Sequence, residues 1–212
     1  MICVSIAEKS TKKSLEVLKG LNFAEIRLDK MSVTVDDVRK IFSQHPKLIA
    51  TCRPGVIEDK KRKLLLEEAI SAGAAFVDLE LEASDVFKES LIKKAHQSGC
   101  KTIISYHNFK KTPKKAELEH VVHWCFNSGA DIAKIACRVS SREDNARLLG
   151  LLEGGRPLVV VAIGSLGKIT RIVSPFLGSP FTYASLERGK ETAEGQLDRE
   201  TLKKIYETLR KI

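Results

Sequence analysis

The chain has 212 residues, 43% hydrophobic and 30% charged, which is long enough for one sizeable core and ordinary for a water-soluble protein. No apolar run approaches the roughly 18 residues of a membrane span, and the start "MICVSIAEKS" lacks the basic and long apolar regions of a signal peptide; a cytoplasmic location with no membrane partner is expected. The net charge of +9 raises nucleic acid as a partner, yet the clusters "EDKKRK" (58–63) and "FKKTPKK" (109–115) are not interleaved with aromatics, which make up only 6% of the chain. They read as solvated faces whose field would attract a small anion, and no nucleic-acid partner is expected.

Apolar runs rich in Val, Ile and Phe alternate with helical periodicity along the whole chain. In order, "ICVSI" (2–6) is followed by "KKSLEVLKGL", "FAEIRLD" (23–29) by "VDDVRKIFSQ", "KLIATC" (47–52) by "KRKLLLEEAISAG", and "AFVDLEL" (75–81) by "VFKESLIKKAHQSG". The second half repeats the scheme: "KTIISYH" (101–107) and "KAELEHVVHWCFNSG", "ADIAKIA" (130–136) and "SREDNARLLGLLEGG", "PLVVVAI" (157–163) and a shorter segment "SLGKITRIVS", then "FTYAS" (181–185) and "LDRETLKKIYETLRKI". Gly73, Gly99, Gly129 and Gly154 are expected to close their helices in the left-handed conformation. Eight strands alternating with helices predict parallel pairing through crossovers and a single (β/α)8 TIM barrel, an α/β catalytic domain over 1–212. An open doubly wound sheet is disfavoured because the first strand-to-helix turn carries no GxGxxG fingerprint.

Cys3, Cys52, Cys100, Cys125 and Cys137 are odd in number, widely spaced and set mostly in apolar runs, as for reduced buried thiols rather than disulfides or a zinc site. His120 and His123 have the one-turn spacing of metal ligands but no third ligand close in sequence, so no metal is assigned to them.

In such a barrel the chemistry sits at the C-terminal ends of the strands. The polar residues late in the apolar runs are Glu25, Arg27 and Asp29, spaced two apart as on one strand face, then Arg53, His107 and Lys134. Arg171 follows the seventh strand, and a Gly-flanked loop with Thr192 and Gln196 follows the eighth. Lys134 is the most telling. In "GADIAKIACR" (129–138) it either pairs with an acid or is kept among Ile132, Ile135 and Ala136 as a neutral nucleophile. Glu25 and Arg27 also read as a structural ion pair, and His107 as a hydrogen-bonded structural histidine.

The motifs "EIRLD", "TCRP", "VDLEL", "SYHNF", "DIAKIA", "TRI" followed by "GS", and "EGQ", in that order at strand ends, resemble type I 3-dehydroquinate dehydratase over nearly the whole chain. The resemblance implies dehydration of the small molecule 3-dehydroquinate to 3-dehydroshikimate, the third step of the shikimate pathway, with no metal or organic cofactor; a homodimer is compatible with it. It makes Lys134 the Schiff-base lysine and His107 the general acid/base. Arg171, Thr192 and Gln196 would hold the substrate carboxylate, while Glu25, Arg27 and Arg53 would hold the ring hydroxyls, with Ser5 as a further contact. Asn108 stands where the family has Asp, Thr170 and Thr192 where it has Ser, and "PGVIED" replaces an acidic segment, leaving Glu58 nearest to a carboxylate expected to orient the histidine. Two rivals remain: a Schiff-base aldolase using the glycines of "AIGSLGK" and "FLGSP" for a phosphate, and a basic binding protein in which Lys134 is structural.

Overall fold

The computed structural model describes residues 1–211. Its strands are β1 (Ile2–Ile6), β2 (Ala24–Arg27), β3 (Leu48–Thr51), β4 (Phe76–Glu80), β5 (Lys101–Asn108), β6 (Ile132–Arg138), β7 (Leu158–Ile163) and β8 (Thr182–Ser185). They alternate with α1 (Thr11–Leu18), α2 (Val35–Ser43), α3 (Asp59–Ser71), α4 (Asp85–Gln97), α5 (Lys115–Asn127), α6 (Arg142–Leu149), α7 (Lys168–Val173) and α8 (Arg199–Leu209). The hydrogen-bonded order is β7-β6-β5-β4-β3-β2-β1-β8, every pairing is parallel, and β7 meets β8 across the seam. This is the (β/α)8 barrel that the alternation predicts.

Local chemistry accounts for most of the punctuation. Ser10, Thr34, Ser84, Ser141 and Asp198 each cap a helix by accepting from the backbone N–H three residues on. Gly73, Gly99 and Gly129 have the expected positive φ, but after α6 the left-handed residue is Gly155 (φ +64°), not Gly154. The chain there continues from α6 into a 3-10 turn over Gly150–Gly154, which moves the reversal one residue later. The shorter segment after β7 is a six-residue helix entered through a 3-10 turn. It packs so tightly on β7 that a Cβ on Gly167 would lie 2.6 Å from the Ala162 Cβ.

Strand parity divides the core in two. Val4, Ile26, Ala50, Leu79, Ile104, Ile135 and Val160 face outward and pack with Val38, Leu66, Leu91 and Leu118 of the surrounding helices. Cys3, Phe23, Ile49, Ile103, Val159 and Phe181 face inward and fill the barrel interior. All five cysteines are buried and free. Among the described residues no helix is long and apolar enough to cross a membrane.

Candidate active site

Above the apolar filling, at the C-terminal ends of the strands, lies a cavity of about 400 Å³. Ser5, Glu25, Arg27, Arg53, His107, Lys134, Arg171, Thr192 and Gln196 all line it, so the structure brings these nine candidate residues together in one cavity. They come from five strands or their following loops, from α7 and from the loop before α8. Glu58 is not among them: it precedes the first turn of α3 and is exposed.

Register explains the convergence. Lys134 on β6 lies beside Ser105 on β5, and His107 beside Ala136, so Lys134 and His107 project from the same inward face of adjacent strands. Ser5 lies beside Glu25 in the β1–β2 ladder. The Ser5 hydroxyl donates to one Glu25 oxygen, and Thr51 Oγ1 donates to the other at 3.0 Å. Asp29 is not on the strand face. It lies in a 3-10 turn after β2, where its carboxylate receives the Arg27 Nε and a terminal Arg27 nitrogen at 2.9 and 2.6 Å, fixing the guanidinium.

Lys134 does not sit in an apolar enclosure. Ile135 points outward into the sheath between strands and helices. Lys134 Nζ donates to Asp78 Oδ2 at 2.9 Å, lies 3.7 Å from Glu25 Oε1, and stands 4.2 Å from the centre of the Tyr183 ring. The acid-pairing reading of the lysine is therefore the geometry of this structure. Asp78 is shared: Arg53 reaches the same oxygen at 2.9 Å, and Ser105 Oγ donates to Oδ1 at 2.6 Å. Burial by itself raises the Asp78 carboxyl, but Arg53 and Lys134 outweigh it and hold the group well below the usual carboxylate range.

His107 is half-buried, its ring makes no hydrogen bond with the described residues, and it stacks on Phe109 with ring centres 6.0 Å apart. Burial first, then the positive charges of Arg53 and Lys134, push it well below the ordinary histidine value, so it is a neutral imidazole near neutral pH. A neutral ring can take a proton, as a general base must. Arg171 is only 1% exposed. Among the described residues its guanidinium makes one hydrogen bond, to the Tyr183 carbonyl at 3.4 Å, and its Nε has no partner. Burial lowers it to about 10, still cationic at neutral pH. A buried guanidinium without a carboxylate is costly, and an anion entering the cavity would relieve that cost.

The loop before α8 closes the far side. Thr192 donates to the Gln196 side-chain oxygen through its N–H at 2.8 Å and its hydroxyl at 3.2 Å. Arg138 pairs with Glu194 at 2.6 Å, and Gly164 N–H donates to the Glu194 carbonyl. Gly195, at φ +78°, approaches Gly164 so closely that a Cβ would lie 2.1 Å from its oxygen. His120 and His123 are exposed on α5, away from this cavity, and the described residues contain no cluster of metal-ligating side chains.

Sequence reasoning assigned no role to Asp78, Glu80, Ser105 or Tyr183. Asp78 and Glu80 carried a usable signal, since "VDLEL" sets two charged side chains two residues apart at a strand end, as "EIRLD" does with Glu25 and Arg27.

The parallel barrel with a lysine, a histidine and three arginines gathered at its C-terminal mouth defines a (β/α)8 enzyme that works on a small molecule. The family model of type I 3-dehydroquinase matches residues 2–212, and the chain belongs to that family. It is 35% identical over 219 residues to the 3-dehydroquinate dehydratase of Methanocaldococcus jannaschii, covering 97% of each chain. Among solved structures it resembles the 3-dehydroquinate dehydratase of Aquifex aeolicus, with 31% identity, full coverage of both chains and a TM-score of 0.85. The type I enzyme of Clostridium difficile matches with 26% identity, 99% and 92% coverage and a TM-score of 0.87. The activity is the dehydration of 3-dehydroquinate, a reaction of the shikimate pathway.

Proposed function

We propose that this dehydration proceeds through an imine between Lys134 and the substrate ketone, with His107 moving the protons. The observation that carries the reading is that, among the described residues lining the cavity, Lys134 supplies the only amine side chain, and an imidazole shares that cavity. The C. difficile relative is known with covalently modified comenic acid, which agrees with a nucleophile in a barrel of this kind.

The steps balance as follows. After giving up a proton, the Lys134 amine attacks the carbonyl carbon, forming a C–N bond; the carbonyl oxygen is protonated and leaves as water, giving an iminium. The proton on the carbon between the iminium and the carbinol then passes to the His107 imidazole, and its electron pair flows to nitrogen as a neutral enamine. The enamine expels the hydroxyl, which takes the proton back from His107 and departs as water. A final water hydrolyses the conjugated iminium, releasing 3-dehydroshikimate and the free lysine. An iminium withdraws electrons far better than a ketone, which is why a direct enolate is avoided.

Arg171, with Thr192 and Gln196 beside it, is assigned the substrate carboxylate; its guanidinium fork suits two oxygens at once. Glu25, Arg27 and Arg53 are assigned the ring hydroxyls, and Ser5 is assigned a contact from the β1 end. Fixing both ends of the ring aligns the breaking bonds with His107 and the iminium. No metal or organic cofactor enters this scheme.

Every turnover through an imine replaces the ketone oxygen by one from solvent. Product made in H2 18O should therefore carry one heavy oxygen at its carbonyl, faster than non-enzymatic exchange. Carbonyl oxygen that stays unlabelled at that rate would remove the imine.

A further inference from the structure

The cluster "EDKKRK" does not form a uniformly solvated face. Lys60 and Lys61 are exposed, but Arg62 between them and Lys63 is only 3% exposed and turns inward from the first turn of α3. An arginine is buried only where its donors are satisfied, and this one reaches three acceptors. Its Nε donates to the Cys52 carbonyl at 2.9 Å, one terminal nitrogen reaches Asp59 at 2.6 Å, and the other reaches Glu80 Oε2 at 2.8 Å. The face of the Phe87 ring lies 4.9 Å from its guanidinium carbon.

The targets matter more than their number. Glu80 holds Arg53 with its other oxygen, at 2.7 Å. Cys52 is the residue whose carbonyl begins the peptide bond to Arg53. Arg62 therefore grips Arg53 from two sides, through the carboxylate that orients its guanidinium and through the backbone that carries it. Arg53 in turn touches Ser105 and shares Asp78 with Lys134. The charges alternate from α3 to the cavity: Arg62, Glu80, Arg53, Asp78, Lys134. Arg62 lies outside the cavity lining, so it has no direct access to substrate.

We infer that Arg62 is a positioning residue that fixes Arg53 for substrate binding; this rests on the assignment of Arg53 to the substrate ring, and not on the imine. Without Arg62, Glu80 keeps one cation where it had two, and the end of β3 loses its tie to α3. Arg53 then samples orientations in which it does not meet the ring. Lysine is a poor substitute, because a single ammonium cannot span the Cys52 carbonyl and Glu80 in the fork geometry of a guanidinium.

The test is a double-mutant cycle on kcat/KM with 3-dehydroquinate. Arg62→Met should raise KM about tenfold or more while lowering kcat less than about threefold, and Arg62→Lys should lie between it and the parent. In an Arg53→Ala background, Arg62→Met should change kcat/KM less than about twofold, since there is no guanidinium left to position. Calorimetric binding of quinate replaces turnover for any variant too slow to assay, and Arg62→Lys with Glu80→Gln replaces Arg62→Met if that variant does not fold. Losses that multiply in the double variant, or parental KM in Arg62→Met, would overturn the inference. Failure of the imine alone would leave this coupling intact, so the two readings are separable.

Discussion

At the floor of the barrel Phe23, Phe76 and Phe181 meet at ring-centre distances of 5.1 to 6.3 Å, the Phe23–Phe181 pair edge to face. Two residues further along the same segments stand Glu25, Asp78 and Tyr183, and a further two bring Arg27 and Glu80. Floor and mouth thus share strands, inward face and degree of burial, but the floor is joined by apolar contact and the mouth by paired charges. Apolar burial stabilises with little demand on orientation. A buried ion pair gains little net stability but strongly penalises any arrangement that leaves a charge alone. The floor can therefore hold the barrel together while the mouth spends that stability on keeping donors and acceptors in fixed places. Arg171 is the clearest case, a buried cation with no acidic partner among the described residues.

That contrast can be broken first at Lys134. Lys134→Ala should reduce turnover by at least about 10³-fold while leaving the melting temperature close to the parent, because Asp78 keeps Arg53 as a partner. Near-normal turnover would end the assignment. Phe181→Ala should do the reverse: a loss of about 3–5 kcal/mol in denaturant unfolding, with kcat per folded molecule unchanged. If it abolished turnover while sparing stability, floor and mouth would not be separable in this way.

Arg171→Met sharpens the contrast from the other side. Removing an unpaired buried cation should leave stability equal or higher, while KM rises by roughly tenfold to a hundredfold. Unfolding curves and steady-state kinetics on the same preparation would decide it. The smallest effect concerns pH. Because burial and the charges of Arg53 and Lys134 hold His107 below its ordinary value, the neutral base persists as pH falls through about 6.5. The acid limb of kcat/KM assigned to His107 should lie below that value, and should move up toward it in Arg53→Ala, which removes one of the positive charges opposing protonation.

The division between floor and mouth was partly legible in the sequence. All eight strands announce themselves, because a fully buried parallel strand must be a short apolar run between turn signals. The mouth residues announce themselves as polar interruptions late in those runs, and the family motifs gather the same positions. Legibility ended where contacts span distance along the chain. Lys134 meets Asp78 from 56 residues away, so local pattern suggested an apolar setting where two carboxylates stand. Arg62 sits in a run of charges that looks solvated, and only the packing of α3 on β3 and β4 reveals that one of them points inward. Asp29 followed the two-residue spacing of Glu25 and Arg27, but the strand ends at Arg27 and the turn that follows aims Asp29 back at Arg27.

The central claim is that Lys134 forms the covalent link to substrate, and borohydride added during turnover of 3-dehydroquinate tests it most directly. The account predicts irreversible inactivation, a protein mass increased by the reduced adduct, and a peptide map placing that adduct on Lys134, absent in Lys134→Ala. Continued full activity under borohydride with no adduct, or an adduct on another lysine, would contradict it.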